Sequence, residues 1–468
     1  MKHPRPNILL IMTDQMRLDA LNRGTSDTKY TPNLDWFATQ AVQAAHCITN
    51  SPICAPARAS ILAGLYPHQM EIWDNSPHTF PPHAKNWVKT LQQGGYRTSV
   101  FGKTHYYPYN GSVPDMREAE PLLHDYGYET VDEIPGPRVS AALLSHMTAL
   151  WEERGYRTRV SDDLERRYQG KHTCTEPSPL PLELYPDVYV GTKAHAYLDA
   201  YHHDDPFFCF VSFGGPHDPW DCPASYSKRF QSKEMEAPRP PFIDRYPNRP
   251  LGNWDHEVLH PPLHSEDIEQ VRRNYAGKVS LIDDEIGKLF SLLVQKGWWD
   301  DTLVLFTSDH GELLGDYNRL YKQNFLGPAL EVPFLIKSPS NSQAKTIQTP
   351  IALLDIGPTL VDYAHLCLDY PQQGKSLRAL LEGTAEPSQT IVFSEYKEEI
   401  MAWDGRWKVV VNKDLDPYLL FDLLTDPAEH LNLAGGGLEA EARLRQSIIG
   451  HLQTTAHLGF TMEDACHG

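Results

Sequence analysis

Several things are missing from this chain, and each absence excludes something. No apolar run is long enough for a membrane span. The seven cysteines are odd in number and scattered, with no Cys-x-x-Cys pair, so neither a zinc knuckle nor a disulfide framework is indicated. There is no repeat of fixed period and no low-complexity tract. Positive charge is in deficit: 42 Lys and Arg stand against 61 Asp and Glu, a formal net charge of -19. Such a surface suits neither nucleic acid nor an anionic membrane, although a local basic pocket can exist inside it. The opening Met1-Lys-His-Pro-Arg-Pro6 carries no apolar signal region, and the expected location is cytoplasmic.

What is present is ordinary for a globular protein: 41% hydrophobic and 22% charged residues over 468 positions. That length accommodates one large α/β domain and a smaller one. Continuous apolar runs at 7–13, 207–213 and 302–307 read as strands buried on both faces. Further strands are expected at 97–101 and 332–337. Helices are expected at 32–45, 85–93, 188–203, 266–296 and 356–365. The polar stretch 114–186 reads as an excursion from the core. Dense proline between 219 and 265 excludes long helices and central strands. Beyond about residue 385 the pattern changes to alternating strands at 391–396, 407–411 and 418–422, with a last helix at 438–452. The expected division is a catalytic domain over 1–385 and a smaller α+β domain over 386–468.

The stretch Ser51-Pro-Ile-Cys54-Ala-Pro56-Ala-Arg58-Ala-Ser-Ile-Leu-Ala-Gly64 stands out. Pro56 suits the first position of a helix, so Cys54 would lie at a helix N-terminus, where free N–H groups and the dipole favour an anion. Arg58 follows one turn later and can aim at the same spot. A lone cysteine is otherwise most often a small buried hydrophobe. Four core strands also end in polar clusters: Asp14-Gln15, Lys103 with His105, His217, and Asp309-His310. One Asp at a strand end is usually a turn or cap residue. Four such clusters with a cysteine at a helix start are not explained by capping alone. The oxygens of Asp14, Gln15 and Asp309 with a ring nitrogen of His310 suit a divalent cation. Lys103, Lys322, Arg58, His105 and His217 add positive charge and transferable protons.

The ensemble resembles the type I sulfatases of the alkaline phosphatase superfamily. The matching stretches are Asn7-Ile-Leu-Leu-Ile-Met-Thr-Asp14-Gln15, Thr31-Pro-Asn-Leu-Asp35, Cys54-Ala-Pro-Ala-Arg58, Gly64-Leu-Tyr-Pro-His68, Gly102-Lys103-Thr-His105, Pro216-His217, Ser308-Asp309-His310-Gly311-Glu312 and Tyr321-Lys322. The resemblance implies an alkaline-phosphatase-like α/β fold, a large mixed sheet flanked by helices, with a smaller C-terminal antiparallel sheet plus helix. It also implies that a formylglycine-generating enzyme oxidises Cys54 to formylglycine, whose hydrate is the nucleophile. One divalent metal is implied, calcium first and manganese next, held by Asp14, Gln15, Asp309, His310 and the modified Cys54. Arg58, Lys103 and Lys322 would neutralise the sulfuryl oxygens. His217, with Lys322, would protonate the leaving alcohol, and His105 would deprotonate the second hydroxyl of the nucleophile. Asn75, Lys103, His217 and Lys322 would contact the substrate.

Two positions depart from the commonest pattern of the family. Gln15 stands where many members have Asp, and His310 where many have Asn. Both changes, together with Asn75, resemble the phosphonate monoester hydrolases, whereas Lys103 and His105 favour sulfatase. The expected activity is hydrolysis of a sulfate monoester, small or oligosaccharide, with a sulfated carbohydrate first and an aryl sulfate as the substitute. A phosphonate or phosphate ester hydrolase is the alternative, and a catalytically dead binding protein is disfavoured by the intact residue set. Trp73, Tyr106, Tyr107 and Trp220 either stack on the substrate or pack near the core. The resemblance leaves room for a homo-oligomer.

Overall fold

The computed structural model describes residues 5–456, apart from 22–29, 171, 254–262, 340–342 and 386–390. Among the described residues an eight-stranded sheet forms the centre. Its strands are β1 (Asn7–Asp14), β2 (Val42–Ala44), β3 (Arg97–Gly102), β4 (Thr130–Glu133), β5 (Phe207–Pro216), β6 (Thr302–Ser308), β7 (Phe334–Lys337) and β8 (Lys345–Ile347). The order is β8-β2-β7-β6-β1-β5-β3-β4. β7 runs antiparallel to both its neighbours, and every other pairing is parallel.

β1 lies at the middle of this sheet, with Leu9 in register with Cys209 on one side and Val304 on the other. Its period of two splits the core. Leu9 and Ile11 belong to one cluster, with α4 (Pro186–Asp199) and α5 (Ser265–Gln295). Ile8, Leu10 and Met12 belong to another, with α2 (Cys54–Ala63), α3 (Trp87–Gln93) and α6 (Ile356–Tyr363). Side chains are apolar on both faces because helices cover both faces. β1, β3, β5 and β6 run the same way, so their C-terminal ends meet at one edge, where such sheets place their ligands.

The chain then builds a second, antiparallel sheet from β9 (Val392–Tyr396), β10 (Glu399–Trp403), β11 (Trp407–Val411) and β12 (Pro417–Asp422), in that spatial order. α7 (Glu439–Thr455) covers one face through Leu444 and Ile448 against Ile400, Val409 and Leu420. Met401, Val410 and Leu419 on the other face share a cluster with Ile48, Ile53 and Phe325 of the large lobe. The expected boundary at 385 abuts 386–390, which lie outside the described residues.

Several expectations need correction. The helix expected over 32–45 is α1 (Pro32–Ala38) only. The N–H groups of Thr39 and Gln40 turn back to Trp36 and Phe37, and Val42 to Ala44 then join the sheet as β2 between β7 and β8. The stretch 114–186 is not a mere excursion. It holds helices at Glu120–Asp125, His146–Glu153 and Arg157–Gln169, and β4 extends the central sheet from it. β10 was not anticipated, because the turn before it is made by Lys397 and Glu398, both at positive φ (46° and 64°). Hairpin turns there usually carry Asn or Gly, so this one leaves no turn signal. Pro56 is third in α2, not first. The place tolerates proline because the first helical N–H bonded to a backbone carbonyl is that of Ala57, on Ile53 O at 3.1 Å.

Candidate active site

Two strand ends make the floor. Asp14 closes β1, and Gln15 turns the chain away at φ 72°. Asp309 and His310 follow β6. Asp309 Oδ1 accepts the N–H of Gln15 at 3.1 Å and that of His310 at 2.9 Å, so one carboxylate oxygen sets both turns. His310 Nδ1 is 3.0 Å from Gly311 O. A carbonyl only accepts, so Nδ1 carries the proton and the Nε2 lone pair faces inward. That atom lies 3.6 Å from Asp14 Oδ1, 3.5 Å from Asp309 Oδ1 and 3.2 Å from Cys54 Sγ. Single ligand atoms of Asp14, Cys54, Asp309 and His310 all fall within 4.8 Å of one another, and all four residues are buried.

Cys54 is the first residue of α2, whose ten residues are all buried. Its Sγ is 3.0 Å from Lys322 Nζ and 3.8 Å from Asp14 Oδ1. Burial alone would raise the thiol pKa. Lys103, Lys322, His310 and His105 outweigh it and hold the thiol well below its ordinary value. Cations ring the floor. Lys103 Nζ is paired to Asp14 Oδ2. Arg58 Nε donates to Asp309 Oδ2 at 2.8 Å, and its Nη1 donates to Lys103 O at 2.6 Å and Ser212 Oγ at 2.9 Å. Its Nη2 is buried 3.6 Å from Asp14 Oδ2, with no hydrogen-bond partner among the described residues. Lys322 Nζ also donates to Gln15 Oε1 at 2.6 Å. Burial opposes ionisation of Asp14 and the Cys54 charge adds to it, yet Lys103, His217 and Lys322 keep that carboxyl below the ordinary carboxylate range.

The two histidines line the cavity wall beside Cys54, and the thiol favours the charged form of each. Burial, with Lys103 and Arg58, pushes His105 down to about 4. Its Nδ1 is buried without a hydrogen-bond partner among the described residues. Its ring stacks on Tyr109 at 4.3 Å, and its N–H donates to Tyr109 Oη at 2.9 Å. Tyr109 is held in turn by Glu133 at 2.6 Å. His217 Nδ1 meets Asp218 O at 2.6 Å, which aims Nε2 elsewhere. Burial lowers the His217 pKa and Lys322 adds to that, while Asp218 favours its charged form.

Above this floor opens a cavity of about 210 Å³ lined by Cys54, Asn75, Lys103, His105, Tyr109, Asn110, Arg138 and His217, among others. Asn75 also caps the nucleophile helix, its Oδ1 accepting the Ala55 N–H at 2.9 Å. The structure thus brings together Asp14, Gln15, Cys54, Arg58, Asn75, Lys103, His105, His217, Asp309, His310 and Lys322. Of the two places expected for the flanking aromatics, the substrate wall or the core, three take the core. Tyr106, Tyr107 and Trp220 are buried in the core, and Trp73 is half-buried outside the cavity lining. Tyr109 and Arg138 take the wall instead, and neither was singled out in the sequence. Glu312 was also missed as a positioning group. It accepts from the Gln15 amide and from the N–H of Tyr321 at 2.6 Å.

A family model described as Sulfatase matches residues 6–366. The chain belongs to the sulfatase family. It is therefore a sulfuric ester hydrolase by class, on the alkaline-phosphatase-like fold. A second model, N-sulphoglucosamine sulphohydrolase, C-terminal, matches residues 315–454 of this sulfatase. A choline-sulfatase of Rhizobium meliloti (strain 1021) is 28% identical, over 92% of this chain and 82% of its own. An arylsulfatase of Clostridium perfringens (strain 13 / Type A) is 26% identical, over 92% and 90%. Among solved structures, the phosphonate monoester hydrolase of Agrobacterium radiobacter superposes with a TM-score of 0.77 at 26% identity, over 97% of this chain and 95% of its own.

Proposed function

We propose that this sulfatase hydrolyses sulfate monoesters of a small or sugar alcohol through a formylglycine made from Cys54. The observation that carries the reading is the setting of Cys54: at the start of a buried helix, 3.0 Å from Lys322 Nζ, beside His105 and His217 at the base of an open cavity. The maturation step needs a formylglycine-generating enzyme.

The donor set fits a divalent cation. Asp14, Asp309 and His310 would hold it, with Gln15 Oε1 and the modified residue 54 completing the set. The oxygens favour calcium, and the nitrogen of His310 moves the preference towards manganese. A bound cation would polarise the sulfuryl group and acidify a hydroxyl beside it. The rest follows from the chain's own groups. Lys103, Lys322 and Arg58, whose Nη2 has no hydrogen-bond partner among the described residues, bind the sulfuryl oxygens and stabilise charge developing on them. One hydroxyl of the hydrated aldehyde gives its proton to water and attacks sulfur through that oxygen, and the bond from sulfur to the alcohol oxygen breaks. His217 delivers a proton from Nε2 to that oxygen, and Asp218, 3.2 Å from Nδ1, supports the protonated ring. His105, kept neutral by burial, then takes the proton of the second hydroxyl. The bond from carbon to the sulfated oxygen breaks, sulfate leaves and the aldehyde returns. A cysteine or serine lacks that second hydroxyl.

The cavity is smaller than the roughly 300–1,000 Å³ of sites for drug-sized ligands, so it takes the sulfate and one small group. Arg138 at its edge favours a further anionic or hydroxyl-rich part over a quaternary ammonium such as choline. Together with the sulphoglucosamine-type C-terminal match, this supports a sulfated carbohydrate. A phosphonate ester is the second reading. It is favoured by Gln15, which leaves the floor one negative charge short of an Asp. The test uses protein made with a formylglycine-generating enzyme. Peptide mass spectrometry should find the aldehyde at residue 54, and kcat/KM should favour a sulfate ester over the phosphonate of the same leaving group. Full activity with only a thiol at Cys54 removes the proposal, and a preference for the phosphonate moves the protein to the second reading.

A further inference from the structure

His68 belongs to Gly64-Leu-Tyr-Pro-His68, a stretch that no step of the hydrolysis uses. It does not line the reaction cavity but sits where the large lobe meets the small sheet. Its Nδ1 is 2.8 Å from Glu395 Oε1 and 2.9 Å from Oε2, and its backbone N–H donates to Oε2 at 3.0 Å. Glu395 lies in β9 and is fully buried. From α7, His451 Nε2 approaches the same Oε1 at 3.1 Å. Two imidazoles and a carboxylate from three distant parts of the chain therefore converge, with ligand atoms within 4.8 Å of one another.

The hydrogen bonds around the trio leave a place to fill. Thr455 Oγ1 lies 2.7 Å from His451 O and 2.8 Å from His68 Nε2, and its one proton can serve either. With that proton on the carbonyl, His68 Nε2 carries a hydrogen, and in a neutral ring Nδ1 is then a bare lone pair. That lone pair faces a carboxylate at hydrogen-bond distance, acceptor against acceptor. In this arrangement a cation lies between them, either a second ring proton or a metal ion. We propose that it is a metal ion: His68 Nδ1, Glu395 and His451 Nε2 form a second site, for zinc or a similar late first-row divalent ion, that clips the C-terminal helix and sheet to the catalytic lobe.

Two nitrogens and one carboxylate with a vacant fourth position are a recurrent zinc set. A tetrahedral ion with bonds of ~2.1 Å spaces its ligands ~3.4 Å apart, so the trio opens by a few tenths of an ångström on binding. The outer support is in place. Thr455 fixes the His68 tautomer, as partners of metal-bound histidines do, and Phe393 stacks on His451 at 4.1 Å. The His68 side chain is 13% exposed, which gives an ion a way in. The donor set differs from that of the reaction floor, which is richer in oxygen and sulfur.

The test uses the intact chain, stripped with a chelator and reloaded with zinc chloride. Crystals measured on both sides of the zinc absorption edge should show anomalous density bonded to His68 Nδ1, Glu395 and His451 Nε2, whatever occupies the floor around Asp14. In solution Glu395→Gln should bind one zinc fewer than the parent, while Asp309→Ala loses a different one, so the two sites are counted separately. Zinc should raise the thermal midpoint of Asp309→Ala and not that of the double variant Asp309→Ala with Glu395→Gln. If the floor fills and the trio stays without anomalous density, protons alone join the three side chains, and the metal proposal is overturned.

Discussion

Two places in this molecule gather carboxylates and imidazoles within a few ångströms, and they differ in everything around them. At the floor, Asp14, Asp309 and His310 are met by Arg58, Lys103 and Lys322, and a cavity of about 210 Å³ opens above. At the junction of the lobes, Glu395, His68 and His451 are enclosed by Thr455, Tyr66 and Phe393. The same donor types can serve chemistry or cohesion. What separates the two settings is surplus positive charge beside space for an anion. With residue 54 neutral, the three cations at the floor exceed the two carboxylates, and Arg58 Nη2 has no hydrogen-bond partner among the described residues. Buried charge without a partner is costly, so such a surplus marks a place built for a ligand.

The largest effect belongs to the nucleophile. Cys54→Ala should lower kcat by more than about 10⁴, since removal of a covalent nucleophile disables the route rather than weakening it. Chelation should cause a comparable loss, restored by adding calcium or manganese. Steady-state rates on one sulfate ester check both. The fold of the variant should hold, because alanine suits the start of α2.

Next come the histidines. Each should cost about 10² to 10⁴ in rate when replaced by alanine. The two losses should differ in kind. His217→Ala slows formation of the sulfated intermediate, least for leaving groups that need no proton. His105→Ala lets it form and stalls its breakdown, so intact-mass measurement should find a sulfated protein. Normal turnover of His105→Ala with nothing trapped would reverse the assignment.

The floor was legible in the sequence because its residues lie inside short motifs at strand ends, and parallel strands carry those ends to one edge. Asp14-Gln15, Cys54 to Arg58 and Asp309-His310 need no long-range knowledge to be noticed. The supporting groups were not legible. Tyr109 matters because Glu133, in a strand that was itself missed, holds its hydroxyl, and Arg138 because it reaches Asp218, 80 residues on. Nothing local marks either residue. The aromatics that looked promising lie beside the motifs in sequence, yet Tyr106 and Trp220 point into the core. Adjacency in sequence says which strand end a residue is near, not which way its side chain turns. The hairpin at Lys397-Glu398 was hidden for a related reason: its backbone takes positive φ through surrounding contacts rather than through residue preference.

The edge of the cavity gives a smaller effect. Arg138 Nε donates to Asp218 Oδ2 at 2.7 Å, its guanidinium lies 4.6 Å from the Tyr321 ring centre, and its side chain is 44% exposed. An exposed charge contact is worth up to about 1 kcal/mol, so Arg138→Gln should raise KM for a doubly anionic sulfated sugar by about 2- to 5-fold. KM for a simple aryl sulfate should stay put. A fall in kcat on both substrates would instead mean that Arg138 acts through Asp218 on His217.

The smallest effect on turnover is expected at the lobe junction, and it sharpens the contrast most. Glu395→Gln keeps the shape of the side chain, removes its charge and leaves one oxygen to face two imidazoles. The buried acceptor lost should cost about 1–3 kcal/mol of stability. It should not reach the chemistry, because none of His68, Glu395 and His451 lines the cavity. Denaturant unfolding should therefore show a lower midpoint. kcat and kcat/KM, measured well below that midpoint with the floor metal saturating, should stay within about twofold of the parent, the scale of ~0.4 kcal/mol. A tenfold loss of kcat in a folded Glu395→Gln protein would mean that the two clusters are coupled through the small sheet, and that the division between chemistry and cohesion drawn from their surroundings does not hold.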